Sequence, residues 1–204
     1  MGTPVNAAEG RVARLMGLWA QLRADLAWYK IEGGPRSAWA AFGCRNFWIV
    51  ATYRIGHWAR FIRLPVVGQA LRFGYQCLNF VVSTITNADI RPGARIGQRF
   101  SVHTCRGLLI TNGVVIGDDC MVNAQVCIVN QGNDKQAGVP KLGNDVRIGV
   151  GGKVMGGITI GDHVRVGANA VVIRDVPENH LAVGVPAVLK PRRAAASAGE
   201  NSQH

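Results

Sequence analysis

No two of the five cysteines (Cys44, Cys77, Cys105, Cys120 and Cys127) form a CxxC pair, and their number is odd. That argues against a disulfide framework and against a structural zinc site, and it favours a reducing compartment, the cytoplasm. Acidic residues are scarce: 12 Asp and Glu face 23 Lys and Arg, for a formal charge of +11. Within residues 1–88 the imbalance is ten basic to three acidic. No recognised nucleic-acid motif or long basic run accompanies this charge, so nucleic acid is not expected as a partner. A polyanionic ligand or weak, peripheral contact with an anionic membrane surface fits better, beside the plain alternative of a solvated basic face. A long apolar run is missing too. The most apolar stretch, FGYQCLNFVVSTITNA at 73–88, is too short and polar to span a bilayer, and the polar first ten residues do not read as a signal peptide. After residue 88, Phe100 is the sole aromatic residue.

What replaces the aromatics is a period of six. Ile90, Ile96, Val102, Ile110, Ile116, Val122, Ile128, Leu142, Ile148, Val154, Ile160, Val166 and Val172 anchor it, and Gly97, Gly117, Gly143, Gly149, Gly161 and Gly167 directly follow anchors. A helix repeats at 3.6 residues and a lone strand at 2, so neither sustains this spacing. A short strand followed by a turn does, and repeated hexapeptides signal a parallel β-helix. Two steps break the rule. From Val102 to Ile110 the step is eight, through HTCRG, and from Ile128 to Leu142 it is fourteen, through VNQGNDKQAGVPK. Coils tolerate insertions at their corners, and loops on a rigid scaffold commonly carry function. Both insertions are therefore candidate sites.

The first 88 residues read as three helical stretches: Val12–Tyr29, Ala38–Arg60 and about Val67–Thr84, broken at Gly33–Arg36 and at Leu64-Pro65. Each is more apolar than a lone amphipathic helix requires, so the helices are expected to pack on one another or on neighbouring subunits. The expected division is a helical domain at 1–88, the coils at 89–190, and a disordered small-residue tail at 191–204.

The chain resembles the serine acetyltransferases and the related polysaccharide O-acetyltransferases of the colanic-acid type. LRADLAWYKIEG is similar to their opening helix and FWIVATYRIGHWAR to their Tyr-Arg-Ile-Ala-His-Trp segment. NADIRPGARIG resembles the Asp-Ile-His-Pro start of their β-helix, and VRIGVGGKVMGGITIGDHVRVGANAVVIRDVPENHLAVGVPA their acetyl-CoA-binding coils and closing Val-Gly-x-Pro-Ala. The resemblance implies an α+β fold, an N-terminal helical segment followed by a left-handed parallel β-helix. It also implies a homotrimer, or a dimer of trimers, with active sites between subunits. Acetyl-CoA is the implied donor, without metal.

Transfer of acetyl to a hydroxyl needs a proton acceptor, a group that orients it, and donors for the oxyanion. A histidine with a carboxylate behind it meets the first two needs. The resemblance maps the carboxylate onto Asp89. The family's Asp-His pair falls on His103-Thr104, so the histidine stands one place early. His103 is expected to serve as base and Asp89 as its orienter, the alternative being a corner residue facing solvent. Gly149, Val150, Gly151, Gly152 and Ala168 are the implied pantetheine groove, with Lys190 a candidate for the cofactor phosphates beside Lys153 and Arg174. Each glycine alone is equally explained by a tight turn.

For the acceptor, the family's His-Pro-Lys segment reads Val139-Pro140-Lys141. A valine cannot bond a carboxylate or an amine, and Asn123, Gln125, Asn130 and Asn133 suit a hydroxyl-rich partner. The expected function is acetyl transfer to a sugar or glycan-precursor hydroxyl. Serine O-acetylation is the second reading, and a non-catalytic trimeric scaffold the third. Which hydroxyl is modified is not legible in the residues.

Overall fold

A computed structural model describes residues 17–27, 45–60, 65–130 and 138–192. The break at Gly33–Arg36, Cys44, Asn133 and the tail expected to be disordered lie outside the described residues, the tail's first two residues excepted. Helix α1 covers 17–27, α2 Arg45–Ala59 and α3 Pro65–Thr86. Pro65 opens α3, where its missing N–H costs nothing because the first turn has no intrahelical acceptor.

From Asp89 the chain visits three parallel sheets in rotation. The first face holds β1 (Asp89–Ile90), β4 (Leu109–Ile110), β7 (Cys127–Val129), β10 (Lys153–Met155) and β13 (Val171–Val172). The second holds β2 (Arg95–Ile96), β5 (Val115–Ile116), β8 (Lys141–Leu142) and β11 (Thr159–Ile160). The third holds β3 (Ser101–Val102), β6 (Met121–Val122), β9 (Arg147–Ile148), β12 (Arg165–Val166) and the antiparallel pair β14 (His180–Val183) and β15 (Val188–Pro191). Strands of two to four residues separated by corners make a three-sided coil.

The period of six has a direct cause in this geometry. Every anchor ends a strand pair or centres a triplet, and all thirteen are buried, none more than 7% exposed. The residue two places before each anchor is buried as well, including Phe100, Leu108, Cys120 and Val126. Each side of a coil thus contributes two residues to the interior. Burying one Val, Leu or Ile stabilises by roughly 1.5–3 kcal/mol, which makes the repeated anchors the main source of cohesion. Both irregular steps are absorbed at corners. Val102 still pairs with Val122, and Ile116 with Leu142, in unbroken register.

The helices close the open end of the coil, where β1, β2 and β3 lie at the edges of their sheets. Tyr53 donates its hydroxyl hydrogen to the Ala94 carbonyl (3.0 Å) and accepts from Ile96 N–H (3.1 Å). Arg54 donates to the carbonyls of Ile96 (2.7 Å) and Gly97 (2.5 Å). His57 Nδ1 and Arg60 both lie 3.0 Å from the Pro92 carbonyl. The Tyr-Arg-Ile-x-His-Trp segment is therefore a cap: its polar side chains satisfy backbone groups that no further coil is present to meet.

Candidate active site

Strand register gathers the candidate residues along one edge, the corner joining the third face to the first. β3, β6, β9 and β12 stack in order, so His103, Asn123, Gly149 and Gly167, each following its strand, form one column. In the next positions Ala124, Val150 and Ala168 form a second column, with Arg106 in the corresponding place of the longer corner. Backbone bonds tie the corners together, from Gln125 N–H to Arg106 O (2.7 Å), Gly151 N–H to Ala124 O (2.8 Å) and Asn169 N–H to Val150 O (2.8 Å). From His103 to Gly149 is two inter-strand steps, about 10 Å. Asp89 opens β1 on the adjoining face, in register with Leu109, Cys127 and Lys153. The proposed base, orienter, cofactor cradle and two of the four acceptor residues thus share an edge, although up to 79 positions separate them.

His103 is exposed, and among the described residues its ring has no hydrogen-bond or ion-pair partner. The other described histidines are engaged: His57 with Pro92 O, His163 with Asp145 (3.0 Å) and His180 with Glu178 O (2.7 Å). Asp89 holds Arg91 through Oδ2 at 3.0 Å, while its Oδ1 is buried without a donor among the described residues. One carboxylate oxygen is fixed, and the other is buried with its bonding capacity unspent. His103 and Asp89 share no hydrogen bond in the single chain. The Tyr75 hydroxyl is also buried and unpartnered; burial first, and then the Asp89 charge, raise its ionisation above the ordinary tyrosine range.

The glycines of the cradle are required by the coil itself. Gly151 has φ +72°, and a Cβ on Gly149 would meet the Ala168 backbone nitrogen at 2.8 Å. Around them the edge is small and open: Val150 is 46% exposed and Ala168 is exposed. The N–H groups of Val150 and Ala168 meet no acceptor among the described residues. Small side chains beside unspent backbone donors fit an amide-bearing pantetheine arm. Lys153 lies on the first face next to this edge, whereas Lys190 sits on β15 opposite Leu181.

Asn123 spends its side-chain N–H on Ile148 O (2.9 Å), so part of its bonding capacity serves the stack. Gln125 is an exposed corner residue at φ +59°, and Asn130 is exposed beside the undescribed 131–137. Val139 belongs to a different corner, where it packs over Gly113. A cleft of about 560 Å³ between α2 and α3 is lined by apolar residues, among them Ile55, Trp58, Leu71 and Leu78, with Tyr75. It has no charged group and contains none of the candidate residues. Among the described residues there is no cluster of three potential metal ligands.

The parallel three-sided coil and its helical cap define the class, the hexapeptide-repeat acyltransferases. Within it, the chain belongs to the serine acetyltransferase family. It is 38% identical over 135 residues to the serine acetyltransferase of Helicobacter pylori strain J99, covering 66% of this chain and 75% of that one. It is 35% identical over 141 residues to that of Synechococcus elongatus, covering 69% of this chain but 55% of the relative's length. The crystal structure of Brucella abortus serine acetyltransferase in complex with coenzyme A superposes with a TM-score of 0.76 at 24% identity, covering 92% of this chain and 73% of that one. No protein-family model matches the chain.

Proposed function

We propose that the protein is an acetyl-CoA-dependent O-acetyltransferase whose acceptor is the hydroxyl of serine. The observation that carries the reading is the shared edge, which aligns an unengaged histidine with a cradle of small residues. The polysaccharide reading, which Val139 favours, comes second, because the relatives named above are serine acetyltransferases. It is kept for a specific reason: Val139 offers no polar atom to an amino acid.

Acetyl-CoA would supply an acetyl thioester susceptible to attack by a hydroxyl. His103 takes the acceptor's proton on a ring nitrogen and returns it to the departing sulfur. Asp89 receives the other ring N–H, fixing the tautomer and stabilising the imidazolium. Arg91 on Oδ2 holds that carboxylate in place. Catalytic hydrogen bonds are often longer before substrate binds, which accommodates the missing His103–Asp89 contact. Val150 and Ala168 offer backbone N–H groups to the pantetheine arm, and Lys153 or Lys190 a cation to the phosphates.

The remaining features follow from the same reading. The coil is taken as left-handed, the hand of this family, and divided at residue 88 from the helices. A homotrimer would cover apolar residues left exposed on the coils, among them Ile173, Val185 and Val188. A cytoplasmic setting agrees with the four described cysteines, all free. Among the described residues no helix is long and apolar enough to cross a membrane. Peripheral contact with an anionic membrane would use the basic helical segment, whose α3 exposes Phe73, Phe80 and Ile85.

Thiol release from acetyl-CoA, measured with serine and with a panel of sugars and sugar nucleotides, tests the function. Turnover with sugars alone would replace serine by the second reading. No binding of acetyl-CoA at all would leave a scaffold. His103→Ala is expected to lose turnover while keeping acetyl-CoA binding.

A further inference from the structure

The corner that carries His103 is two residues longer than the regular corners, and the stack cannot satisfy all of its backbone. A residue on the helical cap completes it. Asn46, the second residue of α2, donates its side-chain N–H to the His103 carbonyl at 2.6 Å and accepts Cys105 N–H on Oδ1 at 3.1 Å. The two bonds bracket Thr104. One fixes the peptide plane before it, the other the plane after it.

A side chain points where its flanking peptide planes send it. Orienting both planes around Thr104 sets ψ at His103 and both torsions at Thr104, hence which of the two side chains faces the edge and in what direction. The corner has further supports. His103 N–H bonds Val122 O (2.9 Å), Gly107 N–H bonds Asn87 O (2.6 Å), and the Cys105 thiol, buried, lies 3.9 Å from Thr86 O at the end of α3. None of these controls the His103–Thr104 peptide from its carbonyl side. Asn46 does so across 57 positions of sequence.

We infer that Asn46 is a positioning residue: it acts on catalysis through the backbone of the His103 corner and touches no reactant. The inference rests on His103 being the base. Loss of the bracket misplaces the imidazole while leaving the cofactor cradle, two coils away, intact. Misplacement by about 1 Å can lower turnover by about 100-fold.

The test compares wild type, Asn46→Ala, Asn46→Asp and His103→Ala as full chains, reading kcat and the KM for acetyl-CoA with whichever acceptor supports turnover. Asn46→Ala is expected to lower kcat by about 10- to 100-fold with the acetyl-CoA KM within about twofold of wild type. Asn46→Asp keeps an acceptor for Cys105 N–H but sets a carboxylate against the His103 carbonyl, so it should also lose kcat. Amide hydrogen exchange at Cys105 should quicken in Asn46→Ala and stay slow in Asn46→Asp. General loosening would instead raise KM with the fall in kcat, and that result overturns the inference. So does wild-type kcat in either Asn46 variant while His103→Ala is inactive. If Asn46→Ala does not fold, Asn46→Asp decides by the same criterion. An active His103→Ala removes the base reading and this inference together, a pattern distinct from the failure of Asn46 alone.

Discussion

Arg54 and Asp25 form an ion pair of 3.0 Å that is almost sealed from solvent, with side-chain exposures of 3% and 0%. The pair joins α1 to α2 and reaches the coil at the same time. Arg54 continues to the Ile96 and Gly97 carbonyls, and Asp25 Oδ1 accepts Phe100 N–H at 3.1 Å. Burial pushes the Asp25 carboxyl above its ordinary range, against the pull of Arg54 and the backbone donors.

Arg54→Met should therefore destabilise more than Asp25→Leu. The arginine change strands a buried carboxylate and two carbonyls; the aspartate change leaves Arg54 two acceptors. Removing one partner of a buried pair costs about 3–5 kcal/mol, and the double variant should lose less than the sum of the single ones. Urea unfolding of the four proteins checks this. Additive losses would mean that the two side chains are not coupled.

A second ladder predicts the acid response. At the corner between the second and third faces, Arg99 chelates Asp119 at 2.5 and 2.7 Å, and those hydrogen bonds hold the Asp119 carboxyl below its ordinary range. Asp145 one coil further is pulled upward by burial, but hydrogen bonds from Arg165 and His163 outweigh it and the net direction is down. A lowered folded pKa stabilises fully above the unfolded value of 3.8 and is lost as pH falls through the folded value. The melting temperature should stay level from about pH 7 to about pH 5 and drop below about pH 4 as these carboxylates protonate. Asp119→Asn should be less stable at neutral pH and show a shallower acid drop. An unchanged acid slope in that variant would remove Asp119 from the account.

The open edge gives a third expectation. Ala168→Glu adds bulk and negative charge beside the unspent Val150 and Ala168 donors, with its side chain in solvent. The acetyl-CoA KM should rise about tenfold, equivalent to about 1.4 kcal/mol of binding, with kcat little changed. Ala168→Ser should stay near wild type. Equal KM values across the three proteins would move the cofactor off this edge.

The coils were legible because a two-residue strand allows one anchor per six residues, and that position tolerates only Ile, Val or Leu. The second buried layer was less visible, since its members (Ala94, Phe100, Cys120 and Gly152) share no chemistry. The convergence of Asp89, His103 and Gly149 on one edge followed from register, which the regular steps already implied. Asn46 and Asp25 were not legible at all. Their partners are backbone groups or residues 29 to 75 positions away, and a backbone carbonyl looks alike at every position of a sequence. The Tyr-Arg-Ile-x-His-Trp segment stood out as a motif, yet its capping role was invisible for the same reason.

The helical cap also bears on assembly. Beneath it β1, β2 and β3 are the terminal strands of their sheets, with no strand on their outer side, and at the opposite end the third sheet finishes in the β14–β15 hairpin. A chain stripped of its helices would bare three strand edges to which the same end of another copy could pair. By occupying those edges the helices guard the molecule against edge-to-edge association.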